Sequence, residues 1–297
     1  MTFLAISLGI RKLMLKRLLI CTDLDRTLLP NGRQPESPGA RERFACLAAR
    51  PEVMLAYVSG RHRALVEEAI RDYALPLPDW VIGDVGTTIY RVRRGIWRHW
   101  PEWEQDIGSD WRGLEAKDLR PLFADLPDLC LQEEAKQNRY KLSYYLPPYI
   151  DAEALQQEMG RRLCASNLTA GLIHSVDEQT GTGLLDVLPA RATKLHAVEF
   201  LMRHQAFAVA DTVYAGDSGN DLPVIVSPIR SVLVANAAAD VVEKAERLAA
   251  KQGSTNAFYR ARGGFLGMNG NYSAGILEGV AHYHPDAVLW MKEDNER

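Results

Sequence analysis

The sequence predicts an α/β protein: a doubly wound, mostly parallel sheet with helices on both faces and an inserted α+β domain. Three observations lead there. Short apolar runs that stop at polar loops alternate with helical patterns, the grammar of βαβ units. Two of those runs end in carboxylates, Leu18-Leu19-Ile20-Cys21-Thr22-Asp23-Leu24-Asp25 and Thr212-Val213-Tyr214-Ala215-Gly216-Asp217. Between residues 91 and 189 the texture changes to a tryptophan-bearing, alternating segment. The expected division is a core of residues 1–90 and 190–297 with an insert of residues 91–189.

The first apolar run reads as a buried strand. Successive side chains on a strand point to opposite faces, so Asp23 and Asp25 emerge together while Leu24 packs away. Pro30-Asn31-Gly32 marks a turn, and Ser37-Pro38 opens a helical pattern through Phe44, Leu47 and Ala48. Val53 to Val58 is a second strand that halts at Ser59-Gly60-Arg61 before a helix through Leu65, Ala69 and Ile70. Trp80-Val81-Ile82 is a third, and Gly86 to Val92 begins a β-rich stretch. The insert holds Trp97, Trp100, Trp103 and Trp111, the polar run Gln132 to Asn138 and the alternating run Arg139 to Tyr145. As large apolar residues, the tryptophans are expected to fill a small domain's core. Core grammar returns with a helix beginning at Lys194, the strand Thr212 to Ala215 and the loop Gly216-Asp217-Ser218-Gly219-Asn220-Asp221. A strand at Ser231 to Val234, a helix from Ala237 to Ala250 and a closing helix from Tyr272 to His282 complete the order.

A chain of 297 residues, 47% hydrophobic and 25% charged, can bury a core of this size. Its net charge of −3 carries no basic surplus, so a small-molecule partner is expected and nucleic acid is not. Cys21, Cys46, Cys130 and Cys164 lack metal or redox spacing and read as reduced core thiols, as suits the cytoplasm. The short apolar run Met1 to Ile10 precedes its basic residues and is too short to span a bilayer. Neither a signal peptide nor membrane association is expected, and residues 1–13 read as a dispensable extension. The pair His282 and His284 reads as a surface pair and not as a metal site.

The strand ends collect Asp23, Asp25, Ser59, Gly60, Asp217, Asn220 and Asp221, and Lys194 joins them from a helix start. At about 5 Å two carboxylates repel by roughly 3 kcal/mol at an effective dielectric near 20, so positive charge is expected beside Asp23 and Asp25. Hard oxygen ligands in this number suit Mg²⁺, which binds through one or two carboxylates and substrate phosphate. A nucleophilic carboxylate, an acid/base carboxylate and a metal form a complete set for phosphoester hydrolysis.

The strand ending in Asp23-Leu24-Asp25-Arg26-Thr27-Leu28, the strand ending in Ser59-Gly60-Arg61, Lys194 and Gly216-Asp217-Ser218-Gly219-Asn220-Asp221 resemble the four motifs of the haloacid dehalogenase (HAD) superfamily. Asp186-Val187-Leu188-Pro189, Lys141-Leu142-Ser143-Tyr144-Tyr145, Val85-Gly86-Thr87 and Ala274-Gly275-Ile276-Leu277-Glu278-Gly279 narrow the likeness to sucrose-6-phosphate phosphatases. The resemblance implies a HAD-like core and makes the insert a C2-type cap. By that resemblance Asp23 is the phosphorylated nucleophile and a Mg²⁺ ligand, and Asp25 is the acid/base that also offers its backbone carbonyl to the metal. Ser59, with Gly60 and Arg61, holds phosphate. Lys194 stabilises the nucleophile and the transferred group, Asp217 and Asp221 complete the metal site, and Asn220 lies at the substrate. Arg26 departs from the glycine that many superfamily members carry there, and from this the turn is expected not to need a positive φ.

A cap that closes over the core would exclude water and read the sugar. Gln137, Asn138, Lys141 and Ser143 are the expected readers. The expected activity is release of phosphate from a phosphorylated disaccharide, foremost sucrose 6-phosphate. Alternatives are another glycosyl phosphate, such as mannosylfructose phosphate, or a non-catalytic sugar-phosphate-binding accessory domain of a glycosyltransferase. A monomer that associates with a disaccharide-phosphate synthase is the expected assembly.

Overall fold

The computed structural model describes residues 17–176 and 180–292. The expectation for residues 1–13 lies outside them. In chain order the strands are β1 (Leu18–Thr22), β2 (Val53–Val58), β3 (Trp80–Gly83), β4 (Thr88–Arg93), β5 (Ile96–His99), β6 (Cys130–Leu131), β7 (Leu142–Leu146), β8 (Ala170–Val176), β9 (Gly183–Pro189), β10 (Thr212–Gly216), β11 (Arg230–Leu233) and β12 (Phe258–Arg260). Eight form one sheet in the order β12-β11-β10-β1-β2-β3-β4-β5; the other four form a second, antiparallel sheet in the order β6-β7-β9-β8. From β12 to β3 neighbouring strands run parallel, and β4 and β5 add an antiparallel hairpin at one edge.

β1 is wholly buried, as an apolar run covered on both faces must be. Leu19 and Cys21 pack on one face with Val198 and Leu201 of the helix Lys194–Gln205, and Leu18 and Ile20 on the other with Phe44 and Ile276. Each fully buried Leu or Ile here contributes about 1.5–3 kcal/mol. The helix Ser273–Tyr283 lies so close to β11 that a Cβ on Gly279 would fall 2.1 Å from a Val232 methyl. Glycine in the Ala274 to Gly279 run is therefore a requirement of helix-to-sheet packing.

From β1 the chain winds to β2 and β3 in one direction and later returns to build β10, β11 and β12 in the other. β1 and β10 thus flank the point where strand order reverses, where parallel sheets open a crevice at their C-terminal ends.

The large sheet keeps residues up to His99, beyond the residue 90 expected to end the first core segment. Trp103 and Trp111 are fully buried, as expected, but Trp100 and Trp103 fill the seam between insert and core. Trp100 lies 4.4 Å from the Trp80 ring and Trp103 5.1 Å from that of Phe200. All four cysteines are free; Cys21 is buried, whereas Cys130 and Cys164 are exposed and are not core thiols. Among the described residues no helix is long and apolar enough to cross a membrane.

Candidate active site

Parallel register brings the acids together. Thr22 is level with Ala215 of β10, and the Asp23 N–H donates to the Ala215 carbonyl at 2.9 Å. Asp23 and Asp217 consequently leave adjacent strand ends into the crevice. Ser59 ends β2 on the other side of β1, where its Oγ accepts the Arg61 N–H at 3.2 Å. Lys194 begins the helix Lys194–Gln205, capped by the Thr193 hydroxyl, which accepts the His196 N–H at 3.1 Å. Its Nζ lies 3.2 Å from Asp23 Oδ1 and 2.7 Å from Asp221 Oδ1, and it donates to Asn220 Oδ1 at 3.0 Å. Three of the four expected motifs thus meet at one ammonium, and Ser59 stands at the end of the neighbouring strand.

Asp23, Asp217 and Asp221 are buried, and each offers an oxygen within 4.8 Å of the others. They are not equivalent. Asp221 Oδ1 accepts from Lys194 and from the Tyr214 hydroxyl, and its Oδ2 accepts from the Asp217 and Ser218 N–H groups and the Ser218 hydroxyl. Both its oxygens are engaged in shaping the loop. Gly216 is what lets it fold back, since a Cβ there would stand 2.5 Å from the Asp221 carboxyl carbon. Asp23 and Asp217 are less fully answered. Burial, together with the Asp221 and Asp217 charges and against the pull of Lys194, pushes Asp23 up to about 8. Burial and Asp221, opposed by Arg26, push Asp217 up to about 6. Negative charge here exceeds the one ammonium, and a divalent cation fits that imbalance.

Asp25 differs again, with its side chain 42% exposed. Arg61 grips it in a fork of 2.8 and 2.7 Å, and Asn31 adds a third donor at 2.7 Å. Burial alone would raise its pKa, but the Arg61 hydrogen bonds and charge, with Asn31, hold it below the ordinary carboxylate value. Arg61, expected at the phosphate, is therefore on the acid/base candidate.

Arg26 corrects an expectation. It adopts φ 56, the left-handed region, with its N–H donating to Asn31 Oδ1 at 2.8 Å and its carbonyl accepting from Asn236 at 2.6 Å. Two asparagine side chains thus hold a conformation that glycine would take without strain. Arg26 Nε lies 3.3 Å from Asp217 Oδ2, and the Thr27 hydroxyl donates to Asp217 Oδ1 at 3.1 Å.

A cavity of about 830 Å³ separates these strand ends from the second sheet; Arg26, Arg61 and Asn220 line it from one side and Lys141, His174 and Asp186 from the other. The expected readers divide. Lys141 Nζ donates to the Lys136 carbonyl at 3.1 Å and lies 3.8 Å from Asp186 Oδ1, and the Ser143 hydroxyl donates to the same carboxylate. Gln137 is not among the lining residues: its amide bonds the Gln132 and Ser143 carbonyls and the Ser143 N–H, pinning backbone. Asn138 instead donates to Thr87 Oγ1 at 2.8 Å, tying insert to core.

Sequence reasoning missed Tyr214, Thr27, Asp186 and Asp84 as site residues. Asp186 had a signal, since it opens the Asp186 to Pro189 motif, but only strand register sets it opposite Ser143. Asp84 is buried in the left-handed run Asp84-Val85-Gly86 and accepts from the Thr88 hydroxyl at 2.9 Å; burial raises its pKa. Its one sequence signal is its place directly before the Val85-Gly86-Thr87 motif.

Comparison with known proteins supplies further observations. A model of the sucrose-6F-phosphate phosphohydrolase family matches residues 16–284. A protein of Nitrosococcus oceani described only as a HAD-like hydrolase is 53% identical over 283 residues, covering 95% of this chain and 76% of its own. The mannosylfructose-phosphate phosphatase of Agrobacterium fabrum is 28% identical over 270 residues, 89% of this chain and 96% of its own. The structure of the sucrose-phosphatase from Synechocystis, in complex with sucrose and phosphate, aligns with a TM-score of 0.68 at 25% identity, covering 90% of this chain and 98% of that one.

Proposed function

The chain belongs to the sucrose-6F-phosphate phosphohydrolase family of HAD phosphatases, and from that premise we propose that it hydrolyses the phosphate of sucrose 6-phosphate with Mg²⁺ through an aspartyl-phosphate on Asp23. The observation that carries this reading is the meeting of Asp23, Lys194 and Asp217 in one buried cluster at the strand ends.

Asp23 Oδ1 is held by Lys194 at 3.2 Å and by the Leu24 N–H at 2.8 Å, which fixes the carboxylate and leaves Oδ2 to attack phosphorus. Lys194 offsets charge on the nucleophile and on the transferred group. Asp23 and Asp217, with the Asp25 carbonyl, would hold Mg²⁺, which when bound supplies neutralisation of the phosphoryl oxygens. Asp221 keeps the scaffolding role its engaged oxygens define. The Ser59 hydroxyl proton remains for a phosphate oxygen. Asp25, once it rotates off Arg61, hands a proton to the departing sugar oxygen and then takes one from the attacking water.

Phosphate chemistry therefore belongs to the core, and the insert acts as the cap that reads the sugar. Lys141 and Asp186 are its readers, since both line the cavity; Ser143, buried behind them, orients Asp186, and Gln137 and Asn138 support them. The sugar assignment draws on the Synechocystis structure, which holds sucrose and phosphate. Mannosylfructose phosphate is the second reading, favoured by the Agrobacterium relative, of which this chain covers 96%.

Phosphate release from sucrose 6-phosphate, mannosylfructose phosphate, glucose 6-phosphate and p-nitrophenyl phosphate, with chelator and after added Mg²⁺, tests all three parts. Sucrose 6-phosphate should exceed the other sugars in kcat/KM by about tenfold or more, and chelation should abolish release. A lead by mannosylfructose phosphate replaces the substrate and keeps the chemistry. Binding of sugar phosphates without release of phosphate would reduce the protein to a binding module.

A further inference from the structure

The hairpin β4–β5 ends the large sheet on the edge away from β12, and its turn is Arg94-Gly95, both left-handed at φ 51 and 76. Arg91 stands directly opposite Arg98 and Arg93 opposite Ile96, so three guanidiniums and an isoleucine share one face. Directly opposed like charges disfavour the strand pair they sit on. Arg91 lies over the Trp80 ring at 5.6 Å, yet among the described residues none of Arg91, Arg93, Arg94 and Arg98 pairs with a carboxylate. They line a hollow of about 610 Å³ whose one acidic lining residue, Asp79, is turned to the Leu55 N–H at 3.0 Å.

Charged residues on an edge strand commonly serve to discourage unwanted pairing. The other edge of the same sheet shows how this chain does that with its charges answered. On β12, Arg260 lies 3.6 Å from Glu246, and the Tyr259 hydroxyl donates to Glu278 at 2.8 Å. The chain as a whole has 38 acids to 35 lysines and arginines, so four unanswered arginines in eight residues go against its composition. Apolar surface accompanies them: Ile96 is 60% and Leu77 59% exposed beside the hollow.

We propose that this face docks an extended acidic segment of a partner protein, which adds to β5 as a strand and sets alternate Asp or Glu side chains over Arg91, Arg93 and Arg98. The open edge supplies backbone partners, the arginines supply the charge match, and Ile96 and Leu77 receive apolar residues between the acids. A lone phosphate would use only the arginines. The site stands four strands from β1, about 19 Å across the sheet, so occupancy leaves the crevice free.

A fluorescent octapeptide of alternating Glu and Val, titrated into the full chain and followed by anisotropy, is the probe. Saturable binding tighter than about 1 mM is expected, weakened as salt is raised and absent for the Lys-Val peptide. The double variant Arg93→Glu/Arg98→Glu should bind about tenfold more weakly while phosphate release, its check on folding, is unchanged. On the unaltered protein, a peptide N-methylated at alternate amides should also lose about tenfold, because strand addition needs its N–H groups. No saturation, equal binding by the double variant, or equal binding of the methylated peptide overturns the proposal. Binding of inorganic tripolyphosphate without the peptide would do so as well, in favour of a simple phosphate site.

Discussion

At the ends of β1 and β10, Asp23 and Asp217 are buried carboxylates in excess of the cations around them, whereas Lys141, just before β7, and Asp186, on β9, form a matched pair whose carboxylate also accepts the Ser143 hydroxyl. The two walls of one cavity therefore ask different things of a ligand. The core wall wants added positive charge and tolerates little displacement, because its acids are held by strand register and by Lys194. On the cap wall Lys141 and Asp186 already have partners, so a ligand must exchange those contacts for its own polar groups. Charge excess suits phosphate chemistry, which is common to many substrates, and partner exchange suits selection among sugars.

The strongest way to break this comparison is to remove charge from the core wall. Asp23→Asn should lower phosphate release by about a thousandfold or more, since no carboxylate oxygen remains to attack. Its melting temperature should hold or rise, because the variant loses a carboxyl that burial disfavours as the anion. Residual release at the wild-type rate would remove Asp23 as nucleophile.

The charge excess also has a pH signature in the chelated protein. Asp23 at about 8 and Asp217 at about 6 both lie above the unfolded value of 3.8, so each binds its proton more tightly folded than unfolded. The stabilisation from these two groups is complete below that unfolded value and is lost as pH climbs through about 6 and then about 8. Melting followed by calorimetry should therefore fall by roughly 3–5 °C more between about pH 5.5 and 8.5 in wild type than in Asp23→Asn. Saturating Mg²⁺ should shrink that difference. Parallel curves for the two proteins would mean the carboxylates are neutralised in some other way.

The core was legible in the sequence because its signal is local: an apolar run that stops at an acid is a strand delivering that acid to an edge. Lys194 carried no local signal, and only the order of motifs selected it. The cap was legible as a change of texture, but its readers were not, because the face of a side chain depends on a register that residue order does not display. Gln137 is expected as a reader and is instead absorbed by the backbone of its neighbours. Asp186 became a site residue only by standing opposite Ser143. Arg26 shows a different limit. The absence of glycine argues against a left-handed turn, yet Asn31 and Asn236, far apart in sequence, hold one.

A milder test falls on the cap wall. Lys141→Ala should raise KM for the preferred sugar phosphate by about tenfold, the scale of one charge-assisted hydrogen bond, and leave p-nitrophenyl phosphate turnover within about twofold. That split separates a reader from a residue that merely supports the fold. An unchanged substrate profile would take Lys141 out of recognition.

The smallest expected effect lies between the walls. Asn138 donates to Thr87 Oγ1 at 2.8 Å and accepts the Tyr140 N–H at 2.9 Å, and its backbone pairs with Lys141 in an isolated bridge. One amide thus tethers cap to core and shapes the turn that aims Lys141. Thr87 keeps its own bond to the Asp84 carbonyl at 2.9 Å, so losing the tether strands no hydroxyl and should cost about 0.5–1.5 kcal/mol. Asn138→Ala removes both functions, whereas Asn138→Asp keeps the acceptor for Tyr140 and loses only the donor to Thr87. If the turn governs recognition, KM should rise about two- to threefold in the alanine variant alone. If the tether governs it, both variants should show the same rise, and the cap wall would then owe its aim to the core.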